Sequence, residues 1–157
     1  MPQSPIRVLF VCHGNICRST MAEFVLKDMV ARRGLAEQFR IESAATSTEE
    51  IGNPVHPGTA AVLREHGIGG FEGKRNPFRQ LRRADYDAFD FIIGMDTANI
   101  RNMNWILGGD PDGKVLKLLE FAGTNRSVDD PWYTGDFETT YADVCDGCEG
   151  LLAYLGM

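Results

Sequence analysis

Little in this sequence points toward a membrane, a nucleic acid or a metal. No apolar run approaches the ~20 residues that a membrane helix needs, and Met1–Arg7 carry no apolar signal region, so the cytoplasm is the expected location. Basic charge is scarce: 16 Lys and Arg stand against 22 Asp and Glu, a net charge of −6. That balance excludes a nucleic acid held by bulk electrostatics, and an anionic ligand has to be captured locally. A complete zinc set is missing too. Cys12 and Cys17 are too widely spaced for the usual pair, and Cys145 and Cys148 have no second pair or histidines to complete four ligands. The lysine of a G-x-x-x-x-G-K-[ST] loop is absent, which excludes a Walker-type nucleotide site. With 157 residues the chain buries a core without staples, so the four cysteines are expected as reduced thiols. Cys145 and Cys148, at i, i+3 spacing, read as helix packing residues.

What is present is a regular alternation within one expected domain, residues 1–157. Ile6–Cys12 is a continuous β-branched and aromatic run, the pattern of a buried parallel strand. The apolar spacing predicts a helix over Met21–Arg33, closed by Gly34, a strand over Phe39–Ala44, and a helix over Thr59–His66, closed by Gly67. His66 then complements the helix dipole. A basic stretch, Lys74–Arg83, reads as a solvated face. Asp90–Asp96 is the next strand, "TANIRNMNWIL" a helix with a threonine cap, "KVLKLLEF" a fourth strand, "DDPWYTGD" a loop, and Phe137–Tyr154 a last helix. This order predicts an α/β sandwich around a mostly parallel sheet with helices on both faces. Ligands of such sheets sit beyond the carboxyl ends of the strands, where Cys12, Ser43, Asp96 and Asp129–Tyr133 fall.

The stretch "CHGNICRST" has the makings of a phosphate cradle. Five residues, His13, Gly14, Asn15, Ile16 and Cys17, separate Cys12 from Arg18, and each offers a backbone N–H to a tetrahedral oxyanion. A helix start follows, with its own unpaired donors and positive dipole end. Gly14 permits close approach or positive φ, and Asn15 tolerates the left-handed region. Arg18 supplies a fork matched to two phosphoryl oxygens. Helix N-termini and neighbouring cations lower thiol pKa values to roughly 3.5–7.5, which makes Cys12 a candidate nucleophile. Ser19 stands where its hydroxyl can donate to that sulfur. Cys17 reads either as the partner of a protective disulfide with Cys12 or as a small buried filler. A leaving phenol needs a proton, and "DDPWY" offers Asp130 for it: Pro131 stiffens the loop, while Trp132 and Tyr133 present ring faces to an aromatic substrate.

Together these residues resemble the low-molecular-weight protein tyrosine phosphatases. The resemblance runs from "VLFVCHGNICRS" through "ESAATSTEEIGNP", "HGI" and "MDTANIR" to "DDPWY" and "DFETTYADVCDGC". It implies a four-stranded parallel sheet with the phosphate loop after the first strand and no metal or cofactor. By the same resemblance Cys12 is the nucleophile, Arg18 binds the phosphoryl group, Asp130 is acid and then base, and Asn15, Ser19 and Ser43 hold the loop by hydrogen bonds. The expected substrates are phosphotyrosine proteins, with inorganic phosphate or another tetrahedral oxyanion in the same loop. The expected state is a monomer or weak dimer.

Three positions depart from the family pattern. Thr20 replaces a common proline and, with Glu23, makes a capping-box pattern. His13 sits at the pocket mouth, either as extra positive charge or as a solvated bystander. Glu49 stands where many relatives place an aromatic wall. Asp96 reads equally as loop support or as a helix cap. Arsenate reductases of this fold relay oxidation to mid-chain cysteines, yet residues 34–143 contain none. Arginine-phosphate phosphatases carry threonine at the position of Ile16 and lack the aromatic pair. A phosphate-reading module without catalysis is the remaining alternative.

Overall fold

The computed structural model describes residues 4–50, 52–72 and 80–157. Four strands, β1 (Ile6–Cys12), β2 (Phe39–Ala45), β3 (Phe91–Gly94) and β4 (Val115–Lys117), form one sheet of order β2-β1-β3-β4. Every pairing is parallel, with Cys12 opposite Ala45 and Val11 opposite Gly94. Val8 to Val11 are wholly buried because helices cover both faces. Alternate side chains serve different cores. Val8, Phe10 and Cys12 pack with α1 (Arg18–Arg32), α2 (Pro57–Glu65) and α6 (Phe137–Tyr154), whereas Leu9 and Val11 pack with α3 (Asp85–Ala88) and α4 (Thr97–Leu107). The helix α5 is a single turn, Pro131–Thr134. Among the described residues, no helix is long and apolar enough to cross a membrane.

Several elements differ from the sequence expectation. Helix α1 starts at Arg18, three residues before Met21, because its first turn serves the loop and not the core. The Thr20–Glu23 capping box does not form. Thr20 Oγ1 donates back to the Cys17 carbonyl at 3.1 Å, and the Glu23 carboxylate is taken by Ser43 and Lys27. A side-chain cap would occupy amides that an anion at this helix start needs. Helix α4 is capped by Asp96 and not Thr97. Asp96 Oδ1 accepts the Asn99 N–H at 2.7 Å, and Asn99 Oδ1 accepts the Asp96 N–H at 3.3 Å. Helix α2 starts at Pro57, two residues early, with His56 Nδ1 accepting the Gly58 N–H. His66 does end that helix, and its ring stacks on Tyr141 at 3.9 Å. The strand predicted over Asp90–Asp96 pairs only over Phe91–Gly94. Of the basic stretch, 74–79 lie outside the described residues, Leu81 is core, and Arg82 and Arg83 are exposed.

The segment "KVLKLLEF" is a strand only to Lys117; Leu118–Ala122 then coil into a 3-10 turn against α6. Two helical glycines permit this approach. A methyl group on Gly147 would overlap the Leu118 side chain, and one on Gly150 would overlap the Phe121 carbonyl. Each glycine costs about 1 kcal/mol of helix propensity, so close packing is the physical reason for both. Gly150→Ala should therefore lower stability by about 1–3 kcal/mol in urea unfolding, despite improved propensity. An unchanged or raised midpoint would show that the backbone contact is not tight.

Candidate active site

The loop after β1 is held from outside by its carbonyls. Cys12 O accepts from Thr46 N at 2.9 Å, His13 O from Ser47 N at 3.0 Å, Ile16 O from His56 N at 2.9 Å, and Cys17 O from Thr59 Oγ1 at 3.2 Å. In a planar trans peptide the N–H points opposite the carbonyl. Drawing the carbonyls outward therefore turns the amides of the following residues inward, toward Cys12. Asn15 completes the curl with a φ of 58°, buried and left-handed as its residue type allows. Gly14 has no positive φ. What it supplies is space, since a Cβ there would stand 3.0 Å from Glu50 Cγ.

Cys12 Sγ, 3% exposed, lies 3.0 Å from Ser19 Oγ and accepts the Asn15 N–H at 3.3 Å. Ser19 Oγ also reaches Asn15 Oδ1 at 2.7 Å. One hydroxyl proton thus serves two acceptors. With a thiol at Cys12 the sulfur donates to Ser19, which donates onward to Asn15; with a thiolate the hydroxyl proton turns to sulfur. Ser43 is buried on β2, its hydroxyl donating to Glu23. Burial, reinforced by the charges of Cys12 and Asp130, pushes the Cys17 thiol far above its ordinary range. All four cysteines are free, with no disulfide among them. Cys148 packs in the core beside α1, as a helix packing residue should.

Arg18 is 2% exposed. Its Nη1 donates to Asp96 Oδ2 at 2.7 Å and to the Val128 carbonyl at 2.9 Å, and its Nη2 lies 3.5 Å from Asp130 Oδ2. Burial works against the guanidinium charge, but Cys12, Asp96 and Asp130 outweigh it and raise its pKa. One Asp96 oxygen caps α4 and the other accepts from Arg18. Asp130 is extended, as the following proline requires, and its Oδ1 accepts the Trp132 N–H at 3.0 Å. What reads as a loop in "DDPWYTGD" is thus a capped helical turn.

One cavity of about 140 Å³ is lined by Cys12, Arg18 and Asp130 together with His13, Gly14, Ile16, Cys17, Glu49, Trp132 and Tyr133. Asn15 and Ser19 are not in that lining; they bond to Cys12 and to each other. At the mouth His13 Nε2 meets Glu49 Oε2 at 2.8 Å, so these two departures from the family pattern are partners. Sequence reasoning missed Glu50, which joins the lining, and His56, whose ring lies against Trp132 at 5.5 Å and Phe137 at 5.0 Å. The His-Pro pair opening α2 was a usable signal for His56; the Val128 carbonyl, being backbone, had none. Among the described residues, no three His, Cys, Asp or Glu side chains gather to hold a metal.

Residues 7–157 match the family model described as "Low molecular weight phosphotyrosine protein phosphatase". The chain is 42% identical over 150 residues, 94% of each chain, to the low molecular weight protein-tyrosine-phosphatase YfkJ of Bacillus subtilis. The crystal structure of YfkJ superposes with a TM-score of 0.91, covering 98% of this chain and 96% of that one. A low molecular weight protein tyrosine phosphatase from Streptococcus pyogenes is 43% identical, with a TM-score of 0.84 and coverage of 96% and 93%. A Drosophila arginine phosphatase shares the fold at 28% identity and a TM-score of 0.82, covering 97% and 99%.

The double duty of Asp96 separates two variants. Asp96→Asn keeps an oxygen for the α4 cap but removes the charge against Arg18, whereas Asp96→Ala also costs about 1 kcal/mol of capping. Both should raise the KM for p-nitrophenyl phosphate by about tenfold, and only Asp96→Ala should lower the Tm appreciably. An unchanged KM in both would show that Arg18 is oriented without Asp96.

Proposed function

We infer the reaction from membership and geometry together: the chain belongs to the low molecular weight phosphotyrosine protein phosphatase family, and its Cys12, Arg18 and Asp130 are arranged to hydrolyse phosphotyrosine in proteins. The observation that carries this reading is that the Cys12 sulfur, the Arg18 guanidinium and the Asp130 carboxyl line one cavity, with Arg18 Nη2 3.5 Å from Asp130 Oδ2. The phosphoryl group enters the loop with its equatorial oxygens on the inward amides and on Arg18 Nη2. Cys12 thiolate attacks phosphorus in line. The P–O bond breaks on the far side, and Asp130 gives its proton to the departing phenol oxygen. A cysteinyl-phosphate results. Asp130, now a carboxylate, takes a proton from the water that attacks phosphorus, and inorganic phosphate leaves as the S–P bond breaks, its electron pair staying on a thiolate that accepts a hydrogen bond from the Ser19 hydroxyl. The amides and Arg18 stabilise the equatorial charge in both steps.

Ile16 lines the cavity as an apolar side chain, and Trp132 and Tyr133, 56% and 84% exposed, stand at its rim. That surface suits a phenyl ring, which favours phosphotyrosine over phosphoarginine on a fold that an arginine phosphatase shares. The cysteine-free middle of the chain supports the same reading over an arsenate reductase. The match over residues 7–157 supports one phosphatase domain. With this reading go the cytoplasmic location and the monomeric or weakly dimeric state expected from the sequence.

Cys12→Ser should abolish turnover of p-nitrophenyl phosphate while leaving the Tm within a few degrees, and a chelator should change nothing in the unmodified enzyme; an active serine variant overturns the assignment. Asp130→Asn should lower kcat/KM by roughly 10²–10⁴ for phenyl phosphate and far less for dinitrophenyl phosphate, whose leaving group needs no proton. Equal losses would remove Asp130 as the acid.

A further inference from the structure

Helix α6 carries two buried polar residues one turn apart, Thr140 and Asp143, among the core residues Val144, Cys148 and Leu151. Neither takes part in the reaction described above, and both reach the same segment of chain. Asp143 receives the Arg126 guanidinium in two bonds, Nη1 to Oδ2 at 3.0 Å and Nη2 to Oδ1 at 2.8 Å. Thr140 Oγ1 donates to the Asp129 carbonyl at 3.4 Å and to the Asp136 carbonyl at 3.2 Å. Between these anchors lies Val128, whose N–H is held by the Met95 carbonyl and whose own carbonyl holds Arg18. Residues 124–130 have no regular secondary structure, so individual bonds to neighbouring elements fix their course.

We propose that Arg126 and Asp143 form a positioning pair that sets the Asp130 carboxyl over the cavity and the Val128 carbonyl against Arg18. The pair touches no substrate. It acts through geometry, since two parallel bonds fix orientation where one would only tether. Asp143 is nearly buried, with its side chain 9% exposed, so moving the segment off α6 would strand a carboxylate without its partner. The Asp143 hydrogen bonds and charge also raise the Arg126 pKa. Lysine would supply the charge but a single point of attachment.

This proposal rests on Asp130 being the acid, and its test keeps the two apart. The readout is kcat/KM for phenyl phosphate divided by that for dinitrophenyl phosphate, a ratio that partial unfolding leaves unchanged because it removes both activities equally. Arg126→Gln should lower the ratio about tenfold, a fraction of what a positioned acid contributes, and Arg126→Lys should recover part of it. Asp143→Asn should behave as Arg126→Gln does. In an Asp130→Asn background, adding Arg126→Gln should cause no further loss in the ratio. An unchanged ratio in Arg126→Gln, or a full further drop in the double variant, overturns the proposal and leaves the pair as a stabilising contact. If Asp130→Asn alone leaves the ratio unchanged, the acid assignment fails first and the positioning role falls with it.

Discussion

A guanidinium buried to 2% exposure has to be matched on every side, and the rest of the site is arranged around matching Arg18. Asp96 supplies the counter-charge and also starts α4; the Val128 carbonyl supplies a second acceptor and belongs to the segment leading into Asp130. Three stretches far apart in sequence thus meet at one side chain. Both bonds fall on Nη1, which pins the plane of the fork and leaves Nη2 beside Asp130, another residue of the cavity lining. An arginine tethered only by its stem would bind phosphate as a mobile charge, with no preference for the in-line geometry that transfer requires.

The loop obeys a similar logic through its backbone. Its carbonyls are drawn outward by the ends of β2 and α2, so its amides converge without any cationic side chain from the loop itself. On the proposed function, this is how an acidic chain of net charge −6 would capture a dianion: the positive potential comes from peptide dipoles, a helix start and one buried arginine. The rim can stay acidic, with Glu49 and Glu50 beside His13, because the attraction is built into the floor.

Where chemistry is local in sequence it was legible in sequence. Strand β1, Cys12, the five-residue spacing and Arg18 occupy one short stretch, and Pro131 with two aromatics marks the turn that carries Asp130. The start of α1 was misplaced for a functional reason. Arg18, Ser19 and Thr20 face the loop, so the apolar period that betrays a helix begins only at Met21. The 3-10 turn after Lys117 was hidden because its cause, the bare surface at Gly147 and Gly150, lies about thirty residues away. Glu50 and the Arg126–Asp143 pair were invisible for the same reason: their places come from long-range contacts that no local pattern encodes, whereas His56 had a local signal in the His-Pro pair opening α2.

The position of Asp130 ties these features to the direction of the reaction. Its Oδ2 lies 3.5 Å from the Arg18 nitrogen that a phosphoryl oxygen would take. A dianion settling on that nitrogen competes with the carboxyl for the same donor, while Oδ1 stays tied to the Trp132 amide at the start of α5. In the proposed reaction the carboxyl would be released at one oxygen and held at the other, leaving the free oxygen for the ester bond about to break. After the phenol departed, the same oxygen would be available to the water that must approach phosphorus from the vacated side. One fixed hinge and one contested contact would then let a single carboxyl serve both halves of the proposed cycle, provided that the segment behind it does not drift.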